Sequence, residues 1–207
     1  MVGIEKPILL DLPDSFETER LLIRVHKAGD GPAVNAALVE SIHNLKQWLP
    51  MAWTQNVQTV AETEELIRRW AIMWITREDL RFGLYRKSDG LYVGGCGLHR
   101  GDWQVMRFEI GYWVRASLEG QGYIREAVAG VTMFAFDTLG AERVELRCDS
   151  LNTRSIAVAE RAGYTLEGRL RNDFSSTDKT TLRDTLVFSL LRTEYLERKQ
   201  STETEKR

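Results

Sequence analysis

The chain has 207 residues, and its 28 Lys and Arg against 30 Asp and Glu leave a formal net charge of −2. That near balance, with no long run of one sign before the polar end near Arg198, excludes broad electrostatic capture of nucleic acid. The length and a hydrophobic content of 43% suffice for one substantial core, and no Pro-, Gly- or Ser-rich linker interrupts them, so one domain over 1–207 is expected, with its folded core at about 15–192.

The opening stretch MVGIEKPILLDLPDSFETER lacks a basic start, a continuous apolar run and a small-residue cleavage site. No export is expected, and a cytoplasmic setting follows from that reading. RLLIRVH, Arg20 to His26, reads as a first strand. DGPAVNAALVES then offers Asp30 as an N-cap and places Val34, Leu38 and Ile42 at helical steps. SIHNLKQWL predicts a second, short helix ending at Pro50. TVAETEELIRRWAIMWITRED begins with Thr59 and Glu62 at capping-box spacing and predicts a long third helix, with Leu66, Ile67, Trp70, Met73 and Trp74 on one face.

From Arg81 the period changes. RFGLYRK, LYVGGCGLHR and MRFEIGYWV alternate or run apolar between the turn signals SDG and GDWQ, which predicts three antiparallel strands. A helix from near Gln121 carries Ile124, Val128, Val131 and Ala135 and stops at Gly140. RVELRCD is a further strand, NTRSIAVAERAG a helix capped by Asn152, and YTLEGRLRND and TLRDTLVFSLL the last two strands. RTEYLERKQSTETEKR reads as a frayed helix and a disordered tail over 198–207. The sum is a mixed α/β (α+β) fold around a single, largely antiparallel sheet of about seven strands.

In SLEGQGYIREAVAGVTMFAF two glycines, Gly120 and Gly122, stand immediately before a helix. A helix start has unpartnered N–H groups and partial positive charge, and side chains at these two positions would hold an anion away from them. The stretch is a candidate pyrophosphate cradle, or else simply a strand-to-helix turn. A Rossmann turn would need a glycine where Arg125 stands, and a Walker loop would need Lys followed by Ser or Thr, which GYIRE does not supply.

EIGYWVRASLEGQGYIREA followed by VELRCDSLNTRSIAVAERAGYTLEG resembles the acetyl-CoA-binding core of the GNAT N-acetyltransferases, and more narrowly the RimJ/RimL branch that acetylates protein N-termini. ETERLLIR resembles that branch's first strand and NLKQWLPMAW its early substrate-side helices, so the similarity spans most of the chain. It implies that the strand before the turn and the strand after the helix splay apart. Trp113, Val114 and Arg115 would then line the pantetheine arm, Gly120, Gln121, Gly122, Tyr123 and Ile124 would receive the pyrophosphate, and Asn152 would position the pantetheine amide while capping its helix. Ser117 departs from the family's usual Gln or Arg at that place, which removes a side-chain contact but not the backbone cradle.

The resemblance places Glu109 beside the cleft, as base or substrate-binding group. A terminal α-amine of pKa near ~8 needs less help than a lysine near ~10.4, so a modest base suffices. The other reading of Glu109 is an exposed carboxylate tied to Arg107 or Arg143. Where many members carry a tyrosine proton donor this chain has Ala159, so Ser155 becomes the candidate to hydrogen-bond the leaving sulfur, its alternative being a secondary helix cap. His26, His43 and His99 show no carboxylate at a useful offset and read as structural or exposed, although His99 follows a strand and could look into the cleft. Cys96 and Cys148 form no CxxC pair and have no nearby His cluster, so neither metal binding nor a thiol nucleophile is expected. Trp48, Met51 and Trp53 read as core residues before substrate contacts.

The expected activity is direct transfer of acetyl from acetyl-CoA to a primary amine, foremost the N-terminus of a protein such as a ribosomal one. The alternatives are a small amine such as a polyamine, amino acid or antibiotic, or a non-catalytic CoA-binding sensor or interaction module. The apolar helices and strands could support a homodimer, and no nucleic-acid or membrane partner is expected.

Overall fold

A computed structural model describes residues 3–49, 56–176 and 179–205. Its centre is one eight-stranded sheet in the order β1-β2-β3-β4-β5-β6-β8-β7. The strands are β1 (Ser15–Glu17), β2 (Leu21–Val25), β3 (Leu80–Arg86), β4 (Tyr92–Asp102), β5 (Arg107–Val114), β6 (Arg143–Asp149), β7 (Thr165–Ser175) and β8 (Leu182–Leu191). Every neighbouring pair is antiparallel except β5 and β6, which run parallel. The strand beyond the expected seven is β1, whose three residues are too few to show an alternation and which exists through pairing with β2.

Alternation along the central strands sends side chains to two faces. One face carries Ile23, Phe82, Leu98, Phe108, Ile110, Val144 and Leu146, which pack against Ala127, Val128 and Val131 of helix α3 (Tyr123–Met133) and Ala159 of helix α4 (Thr153–Arg161). The other carries Tyr85 and Trp113, which pack with Tyr92 under Val34, Ala37, Leu38 and Leu45 of helix α1 (Gly31–Trp48) and Ile67 and Trp70 of helix α2 (Val60–Thr76).

Helix α1 fuses the two short helices expected between Asp30 and Pro50. No Gly or Pro interrupts the junction, and the buried series Val34, Leu38, Ser41, Leu45 keeps helical spacing through it. Asp30 does not cap this helix, because Arg24 and the Lys27 N–H occupy its carboxylate; Glu64 on α2 instead accepts from the N–H groups of Gly29 and Gly31 at 2.8 and 2.9 Å. Helix α2 has the reciprocal Thr59–Glu62 capping box. Helix α3 loosens into a π-helical stretch at Phe134–Thr138 and ends before Gly140, at φ 71°.

Helix α5 runs from Arg192 to Glu205, where a disordered tail from 198 was expected. Two residues in the segment find partners on the domain: Arg198 donates to the Gly163 carbonyl and Lys199 to Asp137 at 2.8 Å. Among the described residues, no helix is long and apolar enough to cross a membrane.

Candidate active site

Strands β5 and β6 pair only at Arg107–Arg143, Phe108–Val144 and Glu109–Glu145, although β5 continues to Val114 and β6 to Asp149. On its far side β5 stays bonded to β4 as far as Val114, and β6 to β8 as far as Asp149. The sheet therefore opens in a wedge whose two inner edges are main chain without a ladder partner. Buried N–H and C=O groups need partners, so an extended chain bearing amides fits between such edges. This is the splay that the resemblance implied.

The turn at the wide end of this wedge holds Gly120 at φ 72° and Gly122 at φ 82°. A Cβ on Gly120 would meet nothing within 4 Å, and one on Gly122 only the end of the Arg20 side chain at 3.4 Å. The protein itself thus requires these glycines for their left-handed backbone, and the space over them is open. Gly122 is the N-cap of α3 and supplies no side-chain bond, which leaves the first amides of α3 uncapped. Arg20 lies beside them: it donates to the Gln121 carbonyl at 3.0 Å, covers the Tyr123 ring at 4.5 Å and pairs with Glu126 at 2.6 Å. Two open glycines, uncapped amides and a guanidinium suit a diphosphate.

Of the residues expected along the pantetheine arm, Trp113 turns its side chain under α1 and α2, and Val114 packs into the core at the end of β5. Only their main chain is placed to meet the arm. Arg115 is committed elsewhere: its N–H bonds Val93, its carbonyl accepts from Leu118, and its guanidinium pairs with Glu40 at 2.5 Å. Asn152 caps α4 by accepting from the Ser155 N–H at 3.0 Å, which leaves its side-chain NH₂ as the group to offer a ligand.

Ser155 stands in the first turn of α4, and its hydroxyl lies 2.7 Å from the Tyr112 hydroxyl on β5, across the wedge. Burial pushes the Tyr112 phenol well above its ordinary value, so it stays protonated. Burial likewise raises the thiol of Cys148.

Glu109 projects from the other face, with its side chain 20% exposed. It pairs with Arg100 at 3.0 Å and Arg147 at 3.7 Å, and not with Arg107, which approaches Asp102, or Arg143, which binds Glu145 and Glu167. Arg100, Arg107, Phe108, Glu109, Glu145 and Arg147 line a cavity of about 210 Å³. Directly opposite Glu109 on β4 is His99, and its Nδ1 lies 2.5 Å from an Asp79 carboxylate oxygen. Burial acts to raise the Asp79 carboxyl, but bonds from His99 and Arg81 outweigh it and hold the group below its usual range. Trp48 ends α1 half-buried, while Met51 and Trp53 lie outside the described residues.

Arg20, Tyr112 and the pairing of Asp79 with His99 border the candidate site and were not read from the sequence, although His99 itself was placed where it could look into the cleft. Each meets its partner only through the fold: Arg20 reaches a turn one hundred residues on. Tyr112 sits in the quoted GYW stretch, where its alternation opposite to Trp113 was the available signal.

The chain matches the Acetyltransferase (GNAT) domain family over residues 20–165. It is 29% identical over 178 residues to YdaF of Bacillus subtilis (strain 168), provisionally named a ribosomal N-acetyltransferase, covering 86% of this chain and 94% of that one. It is 29% identical over 136 residues to the ribosomal-protein-serine acetyltransferase of Escherichia coli, covering 65% of this chain and 75% of that one. Among solved structures, the ribosomal-protein α-N-acetyltransferase RimL in complex with coenzyme A superposes with a TM-score of 0.75 at 20% identity, covering 87% of this chain and 97% of that one.

Proposed function

The chain belongs to the GNAT acetyltransferase family, and from that premise we propose that it moves the acetyl group of acetyl-CoA directly to the α-amine of a protein N-terminus. The observation that carries this reading is the wedge between β5 and β6, closed at one end by an uncapped helix and lined on its two faces by different chemistry. The co-substrate supplies an acetyl thioester. Main chain of β5 up to Val114 and the side-chain NH₂ of Asn152 hold its amide-bearing arm. The amides of Gly120, Gln121, Gly122, Tyr123 and Ile124, with Arg20 beside them, bind its diphosphate.

Ser155 and Tyr112 work on the α3/α4 face. Their hydroxyls lie 2.7 Å apart, and with Tyr112 as the donor the Ser155 proton is free for the departing sulfur. Glu109 works on the α1/α2 face. It pairs with Arg100 and Arg147 at the cavity's edge, from where it draws in the acceptor's ammonium and orients it. A protein N-terminus is favoured over a small amine because the acceptor cavity sets three Arg and two Glu around Phe108, donors and acceptors that can bond a peptide backbone, and because YdaF and the Escherichia coli relative carry ribosomal-protein names.

Mass spectrometry after incubation with acetyl-CoA tests this with paired peptides, one with a free N-terminus and one blocked there but carrying a lysine, and with free polyamines and amino acids. Acetyl gained on the α-amine alone supports the reading. Acetyl gained only on small amines would move the assignment to a small-molecule transferase, and binding of acetyl-CoA without transfer to any amine would make the domain a sensor.

A further inference from the structure

We propose that His99, held by Asp79, is the group that accepts the proton of the acceptor amine, an inference that rests on the acetyltransferase reading and assigns its base. Asp79 can only accept, and Arg81 already grips its second oxygen at 2.7 and 2.8 Å, so the His99 nitrogen 2.5 Å from its first oxygen must carry the hydrogen. In the neutral ring the lone pair then belongs to Nε2. That nitrogen lies over the start of the wedge: a Cβ on Gly111 would come within 3.0 Å of it, and one on Gly97 within 3.3 Å of the ring's Cε1. The imidazole therefore rests on a strip of β4 and β5 that has no side chains.

His99 is 24% exposed, buried enough to hold one orientation and open enough to be reached. Glu109 is its cross-strand partner, with Cβ atoms about 5 Å apart as in any directly opposed pair. The charged groups facing this spot are Asp79 and Arg81 from the β3 side, Arg100 on β4, Arg107 and Glu109 on β5, and Glu145 and Arg147 on β6. Glu109 is engaged by Arg100 and Arg147, whereas the imidazole turns its Nε2 over the start of the wedge.

The acceptor arrives as an ammonium and gives one proton to Nε2, forming an imidazolium balanced by Asp79. The freed lone pair forms the N–C bond to the acetyl carbonyl carbon. The C–S bond breaks with its electron pair on sulfur, which takes the Ser155 proton while the nitrogen's surplus proton replaces it on the Ser155 oxygen, and the imidazolium returns its proton to solvent. Asp79 is a positioning residue in this scheme and His99 a catalytic one.

The test compares wild type, His99→Gln and Asp79→Asn across about pH 6 to 10 with a peptide acceptor, alongside calorimetry of acetyl-CoA binding and ¹⁵N NMR of the His99 ring. His99→Gln should lower kcat about 100-fold and leave an acid limb set by the acceptor amine's own ionisation, near ~8, with acetyl-CoA affinity kept within about twofold. Asp79→Asn should lower kcat about tenfold and mix the tautomers, whereas the neutral wild-type ring carries its proton on Nδ1. Imidazole should restore at least about tenfold of the rate lost in His99→Ala, a rescue that no purely structural role predicts. A His99→Gln enzyme within about twofold of wild-type kcat, no rescue of a folded His99→Ala enzyme, or a wild-type ring protonated on Nε2 would each overturn the proposal. A wild type that acetylates no amine would instead sink the acetyltransferase reading, and the tautomer would still decide the dyad.

Discussion

Gly122 holds φ at 82°, where a β-branched side chain is strained by about 1–2 kcal/mol, yet the space over it is open apart from the tip of Arg20. Gly122→Val should therefore cost a few degrees of Tm and raise the KM for acetyl-CoA at least about tenfold, because in the proposed binding mode the new side chain stands where the diphosphate would meet the amides. Thermal melts and initial-rate kinetics on one preparation separate the two effects. Ser155 and Tyr112 share one hydrogen bond at 2.7 Å and should behave as a unit. Ser155→Ala and Tyr112→Phe should each lower kcat about tenfold, and the double variant should be no slower than the slower single one. At this scale the glycine turn was legible because its signal is local, whereas the Tyr112 partnership forms only when β5 and α4 face each other across a wedge.

Helix α4 begins with a residue asked to do two things. The Asn152 oxygen caps the Ser155 N–H, and its NH₂ is the group available to a ligand. Asn152→Asp keeps a capping oxygen and loses the donor, so it should leave Tm nearly unchanged while weakening acetyl-CoA binding several-fold; Asn152→Ala should lose both, with about 1 kcal/mol of stability. Calorimetric titration and melting of the two variants check this split. Caps with all their parts within a few residues, such as Thr59 with Glu62, were readable in advance. Asp30 misled because its carboxylate is taken by Arg24 on β2, and Glu64, which does cap α1, arrives from another helix. The same limit explains β1, which only its neighbour makes a strand.

For the molecule as a whole, the packing of α1 and α2 onto the sheet encloses His26 at 3% exposure, against the Trp70 ring and the Tyr92 hydroxyl. Burial, first among the influences on it, pushes its pKa down from 6.5 to about 4, with Arg24 and Arg81 adding to the shift and Asp30 opposing it. The unfolded chain thus binds a proton in a range where the folded chain does not. This contribution is fully present above pH 6.5 and is lost as the pH falls toward 4, amounting to about 3 kcal/mol. Denaturant unfolding should show that loss in wild type, and His26→Phe should flatten the curve over the same window. The strand and helix order of the fold was readable from period and turn signals. The early end of the β5–β6 contact came from the resemblance and its parallel direction only from the structure, neither from any periodicity, because a strand's sequence does not record how its neighbour runs or where it departs.

The account depends on uncapped amides at the start of α3 holding the diphosphate of acetyl-CoA. Calorimetry with coenzyme A and with pantetheine, which lacks the diphosphate, measures that grip directly. Coenzyme A should bind at least about 100-fold more tightly to the wild type, a margin that Gly122→Val should largely erase. Equal affinity for the two compounds, or an undiminished margin in the variant, would contradict it.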